Sequence, residues 1–152
     1  MKRLVALYDR TIALLAGRVA ESLVLIVVRV ALAGIFWRSG QSKVVEGTWL
    51  QVSDATRYLF ENDYSAVPLP PDLAATLSTY AEHLFPVLLV VGLATRLSGA
   101  GLLVMTLVIQ IFVFPDAWWT VHVIWVALCL VLITRGGGMV SLDAMVAGVR
   151  GK

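Results

Sequence analysis

The sequence predicts an all-α protein, a transmembrane four-helix bundle formed by one domain over residues 1–152. Apolar residues make up 59% of the 152 positions and charged residues 14%, and the mean hydropathy is +0.86. The apolar residues are grouped in four blocks, each close to the roughly 20 residues that a helix needs to cross a hydrocarbon core. These blocks are Ser22–Trp37, Leu73–Thr95, Leu97–Phe114 and Ala117–Thr134.

Basic residues flank these blocks unevenly. Eight precede the first block, separate the second from the third, or follow the fourth, namely Lys2, Arg3, Arg10, Arg18, Arg96, Arg135, Arg150 and Lys152. Three lie on the opposite side, namely Arg38, Lys43 and Arg57. Because cytoplasmic loops carry an excess of Lys and Arg, we expect both termini in the cytoplasm and Arg38–Leu73 outside. Charges at Asp9, Arg10 and Arg18 interrupt the first apolar run, which argues against a cleaved signal peptide.

Two amphipathic segments are predicted outside the spans. Residues 1–18 place their leucines, Tyr8 and Ile12 mainly on one helical face, which suits a helix lying in the inner interface; a frayed leader is the alternative. Residues 44–72 are too long for a simple turn. Thr48 can cap a short helix there, with Trp49, Val52, Thr56 and Leu59 on one stripe, and we interpret it as an amphipathic outer cap on the bundle.

The remaining connections are short and define the order of the helices. Pro68–Pro71 breaks the chain, and Pro71 with Asp72 suits the first turn of the second span. The turn at Thr95–Ser98 makes spans two and three antiparallel neighbours, and Pro115–Ala117 is a tight outer turn into span four. After Arg135 and three glycines, Ser141 can cap a short tail helix.

The second span contains an adjacent carboxylate and imidazole, Glu82 and His83. Ionisable groups inside a membrane are expensive, so they are by default a functional-site hypothesis. Pro86 has no N–H, and the carbonyl of Glu82 therefore loses its helical partner. Counting from Arg96 and Arg135 at the inner boundary places the polar residues of three spans at one depth, about 20 Å above it. They are Glu82, His83, Gln110 and His122.

Arg29, in the first span, is predicted to lie slightly below that layer and to pair with Glu82, since an unpaired guanidinium costs several kcal/mol at mid-membrane. A purely structural ion pair is the alternative. His83 points about 100° away from Glu82 and could face the headgroups instead. His122 could be an ordinary interfacial histidine, and Gln110 could simply join helices.

Three further charges, Arg38, Lys43 and Asp116, are expected at the outer mouth. Two histidines on separate helices are a weak signal for haem or a metal, and no metal site is predicted. The single cysteine, Cys129, excludes dithiol chemistry within the chain. Nothing in the charge distribution indicates a nucleic-acid partner.

Several short motifs resemble those of the DoxX family of small four-helix membrane proteins. They are Arg29, Gly34, Phe36, Gly40 and Lys43 (R…G…F…G-x-x-K), Glu82 with Gly92–Arg96 (E…G-L-x-T-R), and Gly136–Asp143 (G-x-G…S-L-D). The stretch Phe112–Trp118 with His122 and Trp125 is similar to an elaboration found in a subgroup. The resemblance covers nearly the whole chain.

The resemblance implies a protein of the bacterial cytoplasmic membrane that works in a quinone-linked redox or oxidative and thiol-stress system. Some family members are subunits of a thiosulfate:quinone oxidoreductase. The fold is also similar to the membrane core of quinone-linked thiol oxidoreductases, whose cysteine pairs this chain lacks. On this hypothesis His83, Gln110 and His122 contact a quinone head group or relay a proton, while Arg38 and Lys43 attract an anionic substrate or partner.

The alternative hypothesis is a non-enzymatic scaffold or accessory subunit whose polar layer only fixes packing. A small-solute carrier ranks below both, because no inverted repeat is evident. The partners considered are membrane lipid and a redox partner protein on the outer face, and a homo-oligomer is left open. Quinone is the cofactor considered.

Overall fold

A computed structural model describes residues 1–150. Its helices are α1 (Lys2–Leu15), α2 (Arg18–Gln41), α3 (Asp54–Asn62), α4 (Pro71–Val91), α5 (Thr95–Phe112), α6 (Val123–Arg135) and α7 (Leu142–Arg150). A 3₁₀ turn (Pro115–Ala117) and a π-helical turn (Trp118–His122) lead into α6. Four segments are long and apolar enough to cross a membrane: α2, α4, α5 and residues 115–135. The predicted four-helix class is confirmed.

The four long segments run alternately up and down and close into a ring. Helix α2 packs against α4, α4 against α5, α5 against α6, and α6 against α2. Leu32, Phe36, Leu89, Leu102 and Leu132 fill the centre. We call the end with α1, residues 92–94 and residues 136–141 the terminal end. The opposite end, with residues 42–70 and 113–117, is the cap end.

The amphipathic cap forms, but it begins later than the sequence suggests. Helix α3 starts after Ser53, whose hydroxyl accepts a hydrogen bond from the Thr56 N–H at 3.2 Å. Thr48 caps no helix, because residues 44–52 fold back through an antiparallel bridge between Val44 and Val52. Trp49, predicted on the buried stripe, is 96% exposed. Val52 and Phe60 do pack against the start of α4 at Ala74 and Ala75.

Helix α1 is present as predicted, with every residue exposed. Its apolar side chains, including Leu4, Leu7 and Tyr8, are not covered by the bundle. An apolar face combined with basic side chains is typical of helices that lie in a lipid interface. Its location at the inner interface stays a prediction.

Arg29 joins α2 to the terminal end of α4. Its Nε donates to the Leu89 carbonyl at 2.7 Å and its Nη2 to the Val90 carbonyl at 2.7 Å. Its Nη1 donates to the carbonyls of Gly137 at 3.0 Å and Val140 at 2.7 Å. The last carbonyls of a helix have no partner inside it and carry partial negative charge, so a cation is well placed there. The buried guanidinium therefore caps α4 and holds the 136–141 loop.

Asp143, at the start of α7, closes the turn between α4 and α5. Its carboxylate accepts hydrogen bonds from the N–H groups of Ala94 at 2.7 Å and Thr95 at 2.8 Å. Its own N–H donates to the Gly92 carbonyl at 2.9 Å. Partial burial opposes its ionisation, but these N–H groups and the Arg29 charge outweigh it and hold the pKa of Asp143 below its ordinary 3.8. The tail thus caps the N-terminus of α5.

Gly92 is required where these elements meet. It ends α4 with a φ of 73°, a left-handed conformation that side chains disfavour. A Cβ added there would lie 2.6 Å from Cβ of Ser141 and 2.8 Å from Nη2 of Arg29. Both backbone conformation and space therefore exclude a larger residue.

We expect Asp143→Asn to lower the free energy of unfolding at pH 7 by about 1 kcal/mol, because the amide has one acceptor oxygen for two N–H groups and no charge at the N-terminus of α5. Because the pKa of Asp143 is lower in the folded chain, its contribution is complete above the unfolded-state pKa of about 4. The contribution disappears as the pH falls through the folded-state value. Thermal unfolding of detergent-purified protein should therefore show a difference from wild type that shrinks below about pH 4.

Asp116→Asn is the matched control, since that carboxylate is exposed at the cap end and has no hydrogen-bond partner among residues 1–150. It should leave stability unchanged at neutral pH. A deficit for Asp143→Asn that stays constant from pH 7 to pH 3 would show that the carboxylate charge does not stabilise this turn.

Candidate functional site

A cavity of about 400 Å³ lies at the cap end, between the ends of the long helices and the cap segment. Most of its wall is apolar or aromatic, including Phe36, Phe60, Phe114 and Trp125. The polar side chains that line it are Ser39, Lys43, Tyr64, Ser78, Glu82 and His122. An apolar pocket with a few convergent polar groups is the usual form of a small-molecule site.

Lys43 and Glu82 form a buried ion pair on one wall. Nζ of Lys43 lies 2.7 Å from Oε2 of Glu82, and the two side chains are 12% and 2% exposed. The ammonium also donates to Oγ of Ser39 at 2.9 Å. A buried charge is tolerated when it is paired and hydrogen-bonded in this way.

The predicted pairing of Arg29 with Glu82 is wrong. Glu82 lies level with Gly40, where an added Cβ would be 3.1 Å from Cβ of Glu82. Arg29 is eleven positions earlier on α2, about 16 Å along the helix axis. Side chains also lean toward the N-terminus of their helix, so Arg29 extends away from Glu82 toward the terminal end. Lys43, predicted at the mouth, is the true partner of Glu82.

His122 occupies another part of the wall and is 2% exposed. Its Nδ1 lies 2.6 Å from Oε1 of Gln110, and Nε2 of Gln110 donates to the Pro115 carbonyl at 2.6 Å. The ring packs on Trp125, with centroids 5.2 Å apart, and Trp125 in turn meets Phe36 edge-on. Gln110 therefore does not line the cavity itself; it holds the histidine that does.

His83, predicted beside Glu82 in one site, lies away from the cavity. Successive helical residues point about 100° apart, so His83 faces α2 while Glu82 faces the cavity. Its Nδ1 bonds to the Thr79 carbonyl at 2.7 Å, and its Nε2 lies 2.9 Å from Nε2 of Gln41. Trp37 packs edge-on against the imidazole of His83, with ring centroids 5.1 Å apart. Both ring nitrogens are thus occupied by protein partners.

Arg38 and Asp116, the other residues predicted at the mouth, are exposed at the cap end and do not line the cavity. The predicted single polar layer therefore separates into three groups: Arg29 with Asp143 at the terminal end, His83 between α2 and α4, and the cavity side chains.

Sequence reasoning did not identify Tyr64. It follows α3, and its ring packs between those of Phe60 and Phe114, with centroid distances of 5.1 Å and 5.9 Å. Burial raises the pKa of Tyr64, as do the charges of Asp63 and Glu82, so the phenol keeps its proton and can donate a hydrogen bond. Only the folded position of the cap segment brings this residue to the cavity, and no motif marks it.

A wider groove of about 630 Å³ lies at the terminal end. Several of its charged groups already have structural roles. Arg96 donates to the carbonyls of Ile133 and Thr134, where α6 ends. Arg135 pairs with Glu21 at 3.2 Å, and Asp143 caps α5. The buried side-chain atoms that have no hydrogen-bond partner among the described residues, Oγ1 of Thr95 and Oγ of Ser98, also lie toward this end. The cap-end cavity, whose wall is mostly apolar with a few convergent polar groups, is the better candidate for a small-molecule ligand.

Comparison with known proteins is consistent with this architecture. A model of the DoxX family matches residues 24–116, more than half of the chain. A Haemophilus influenzae protein described as uncharacterized is 29% identical over 133 residues, which cover 82% of this chain and 84% of that protein. No solved structure matches the chain. The family match includes Arg29, Lys43 and Glu82 and ends before His122 and Asp143. With four helices of membrane-spanning length and a family match over most of the bundle, the chain is a multi-pass membrane protein of the DoxX family.

Proposed function

We propose that this protein binds a quinone head group in the cap-end cavity and works as a component of a quinone-linked redox system. One observation carries the proposal: the cavity is largely apolar, yet Lys43, Tyr64, Glu82 and His122 all line it. Its volume of about 400 Å³ is within the range of roughly 300–1,000 Å³ typical of small-molecule sites.

The chemistry of the wall suits a flat ring with oxygen atoms on opposite edges. The aromatic residues Phe60, Phe114 and Trp125 offer surfaces for offset or edge-on packing against such a ring. The hydroxyl of Tyr64 can donate a hydrogen bond to a ring oxygen, and the Lys43–Glu82 pair sets the charge along the same wall. A bound quinone would supply the two-electron chemistry, and these side chains would bind and orient it.

Access from the membrane supports a lipid-soluble ligand. Leu77 on α4 and Val104 on α5 both line the cavity, and they are 52% and 61% exposed on the outer surface of the bundle. The wall between α4 and α5 is therefore thin. A ligand with an isoprenoid tail could place its head group inside while the tail stays among lipid chains.

The proposal includes a location and a partner. Similarity to the DoxX family favours the bacterial cytoplasmic membrane as the location. The distribution of basic residues favours both termini in the cytoplasm, so the cavity would open toward the outer side. Electrons would be exchanged with a redox partner protein on that side, where Arg38 and Asp116 are exposed. The chain has a single cysteine, Cys129, and cannot form a dithiol alone.

A second candidate, a structural accessory subunit, is favoured by the way other polar groups are used. Arg29 donates to four carbonyls, and both nitrogens of His83 have protein partners. If the same were true of every buried polar group, Lys43 and Glu82 would serve only to join α2 to α4.

Filling the cavity should weaken ligand binding. Ala81 lines it, and Ala81→Phe would place a phenyl ring in the space assigned to the ligand. We expect the affinity of the detergent-purified protein for a short-chain benzoquinone, measured by titration calorimetry, to fall at least tenfold, about 1.4 kcal/mol. Ala127→Phe is the control, because Ala127 is exposed on α6 and away from the cavity. Unchanged affinity in a folded Ala81→Phe protein would contradict this site.

A double-mutant cycle separates pairing from ligand binding. Lys43→Met and Glu82→Met should each destabilise the protein by about 3–5 kcal/mol, since each leaves one buried charge unpaired. The double variant should recover most of that loss in thermal unfolding. The losses of unfolding free energy caused by Arg29→Met and Glu82→Met should instead be additive, because Arg29 and Glu82 share no partner.

The quinone affinity of the folded Lys43→Met/Glu82→Met protein then decides between the two candidate functions. A loss of tenfold or more supports a role of this pair in holding a ligand. Wild-type affinity in the double variant would assign the pair to packing alone.

A further inference from the structure

We infer that the cap-end cavity selects the reduced form of its ligand, the hydroquinone, and that Gln110 imposes this selectivity by fixing which nitrogen of His122 carries a proton. The inference rests on the proposed function and names the redox state that the site prefers. It follows from a chain of three hydrogen-bonding groups whose directions are forced.

The chain starts at Pro115, whose carbonyl can only accept a hydrogen bond. The atom of Gln110 that lies 2.6 Å from this carbonyl must therefore be the amide nitrogen, which donates. The amide oxygen of Gln110 consequently faces Nδ1 of His122, also at 2.6 Å. Because an amide oxygen only accepts, Nδ1 must carry the hydrogen.

A neutral imidazole with its hydrogen on Nδ1 presents a lone pair at Nε2. His122 packs on Trp125 and forms no ion pair with any described carboxylate, which is the environment of a neutral ring. No residue between 1 and 150 donates a hydrogen bond to Nε2. The ring is 2% exposed and lines the cavity, and Nε2 has no protein partner among the described residues, so this nitrogen is available to accept a hydrogen bond from a ligand.

This acceptor distinguishes the two redox forms. A quinone has only carbonyl oxygens. A carbonyl oxygen placed against Nε2 would bring two lone pairs together with no hydrogen between them. A hydroquinone has hydroxyl groups and can donate to Nε2. Sites built to hydrogen-bond a particular group reject analogues that lack it, because a buried polar atom is then left unpaired. Tyr64 can donate to an oxygen of either form, so it adds affinity without discriminating. The carboxylate of Glu82, which also lines the cavity, can only accept and favours the same form as His122.

The local backbone brings His122 within reach of Gln110. Residues Trp118–His122 form a π-helical turn, a rare conformation that often marks functional sites. Gln110 lies in the last turn of α5, and the carbonyl that orients it belongs to the connection between α5 and α6. Gln110 is therefore a positioning residue, and His122 is the residue that contacts the ligand.

Anaerobic titration calorimetry of the full-length protein in detergent tests the inference, with a short-chain benzoquinone and its hydroquinone as probes. We expect wild type to bind the hydroquinone at least tenfold more tightly. Gln110→Leu frees the ring to exchange tautomers and should reduce the ratio at least threefold relative to wild type; the preference that remains belongs to the Glu82 carboxylate. Thr120→Val, exposed on the same π-helical turn, is the control and should match wild type.

Nitrogen-15 spectra of histidine-labelled protein provide a measurement that needs no ligand. The chain has two histidines, so His83→Phe isolates the signal of His122. An unprotonated Nε2 is expected, and a hydrogen on Nε2 would overturn the inference. Equal affinities of wild type for the two probes, or tighter binding of the quinone, would overturn it while the proposed function stands. Binding of neither probe would overturn both.

Discussion

The guanidinium of Arg29 is the interaction on which the terminal end of the bundle depends. It donates to carbonyls of Leu89, Val90, Gly137 and Val140, so one side chain fixes α2, the end of α4 and the loop after α6. A charge buried in an apolar bundle is stable only if its donors are satisfied. The carbonyls at a helix end need donors for the same reason. The guanidinium donors and the helix-end carbonyls therefore satisfy each other. These hydrogen bonds fix the register of the adjacent helix ends.

Fixing the terminal end has a consequence at the cap end. Helices α2 and α4 are joined at one end by Arg29 and at the other by Lys43 and Glu82. The two connections are separated by about four helical turns along α2. Near the second joint, Gly40 allows close approach, since a Cβ there would lie 2.8 Å from His83. The wall of the cavity that carries Glu82 is therefore held at both ends, as binding of a small ligand requires.

The sequence predicted the membrane helices and their order well, because apolar blocks and short turns report directly on span length and neighbours. It predicted the partner of Arg29 wrongly. Counting residues measures the height of a Cα atom, whereas a long side chain ends several ångströms away and leans toward the start of its helix. In addition, the hydroxyl of Ser22 accepts a hydrogen bond from the N–H of Met139, in the loop after α6, at 2.9 Å. That loop folds up along α2 and meets Arg29, and no local pattern in residues 136–141 signals this.

The two histidines show that depth in the membrane and residue type do not determine whether a buried side chain serves packing or ligand binding. Both were predicted in one layer, and both are buried. His83 has a protein partner at each nitrogen, so its burial is already compensated. His122 has one partner at Nδ1 and a second nitrogen that no described residue satisfies. An acceptor in an apolar cavity that no protein group satisfies can bind a ligand that donates to it. Hydrogen-bond satisfaction, which only the folded arrangement reveals, therefore separates a histidine that maintains packing from one that is suited to bind.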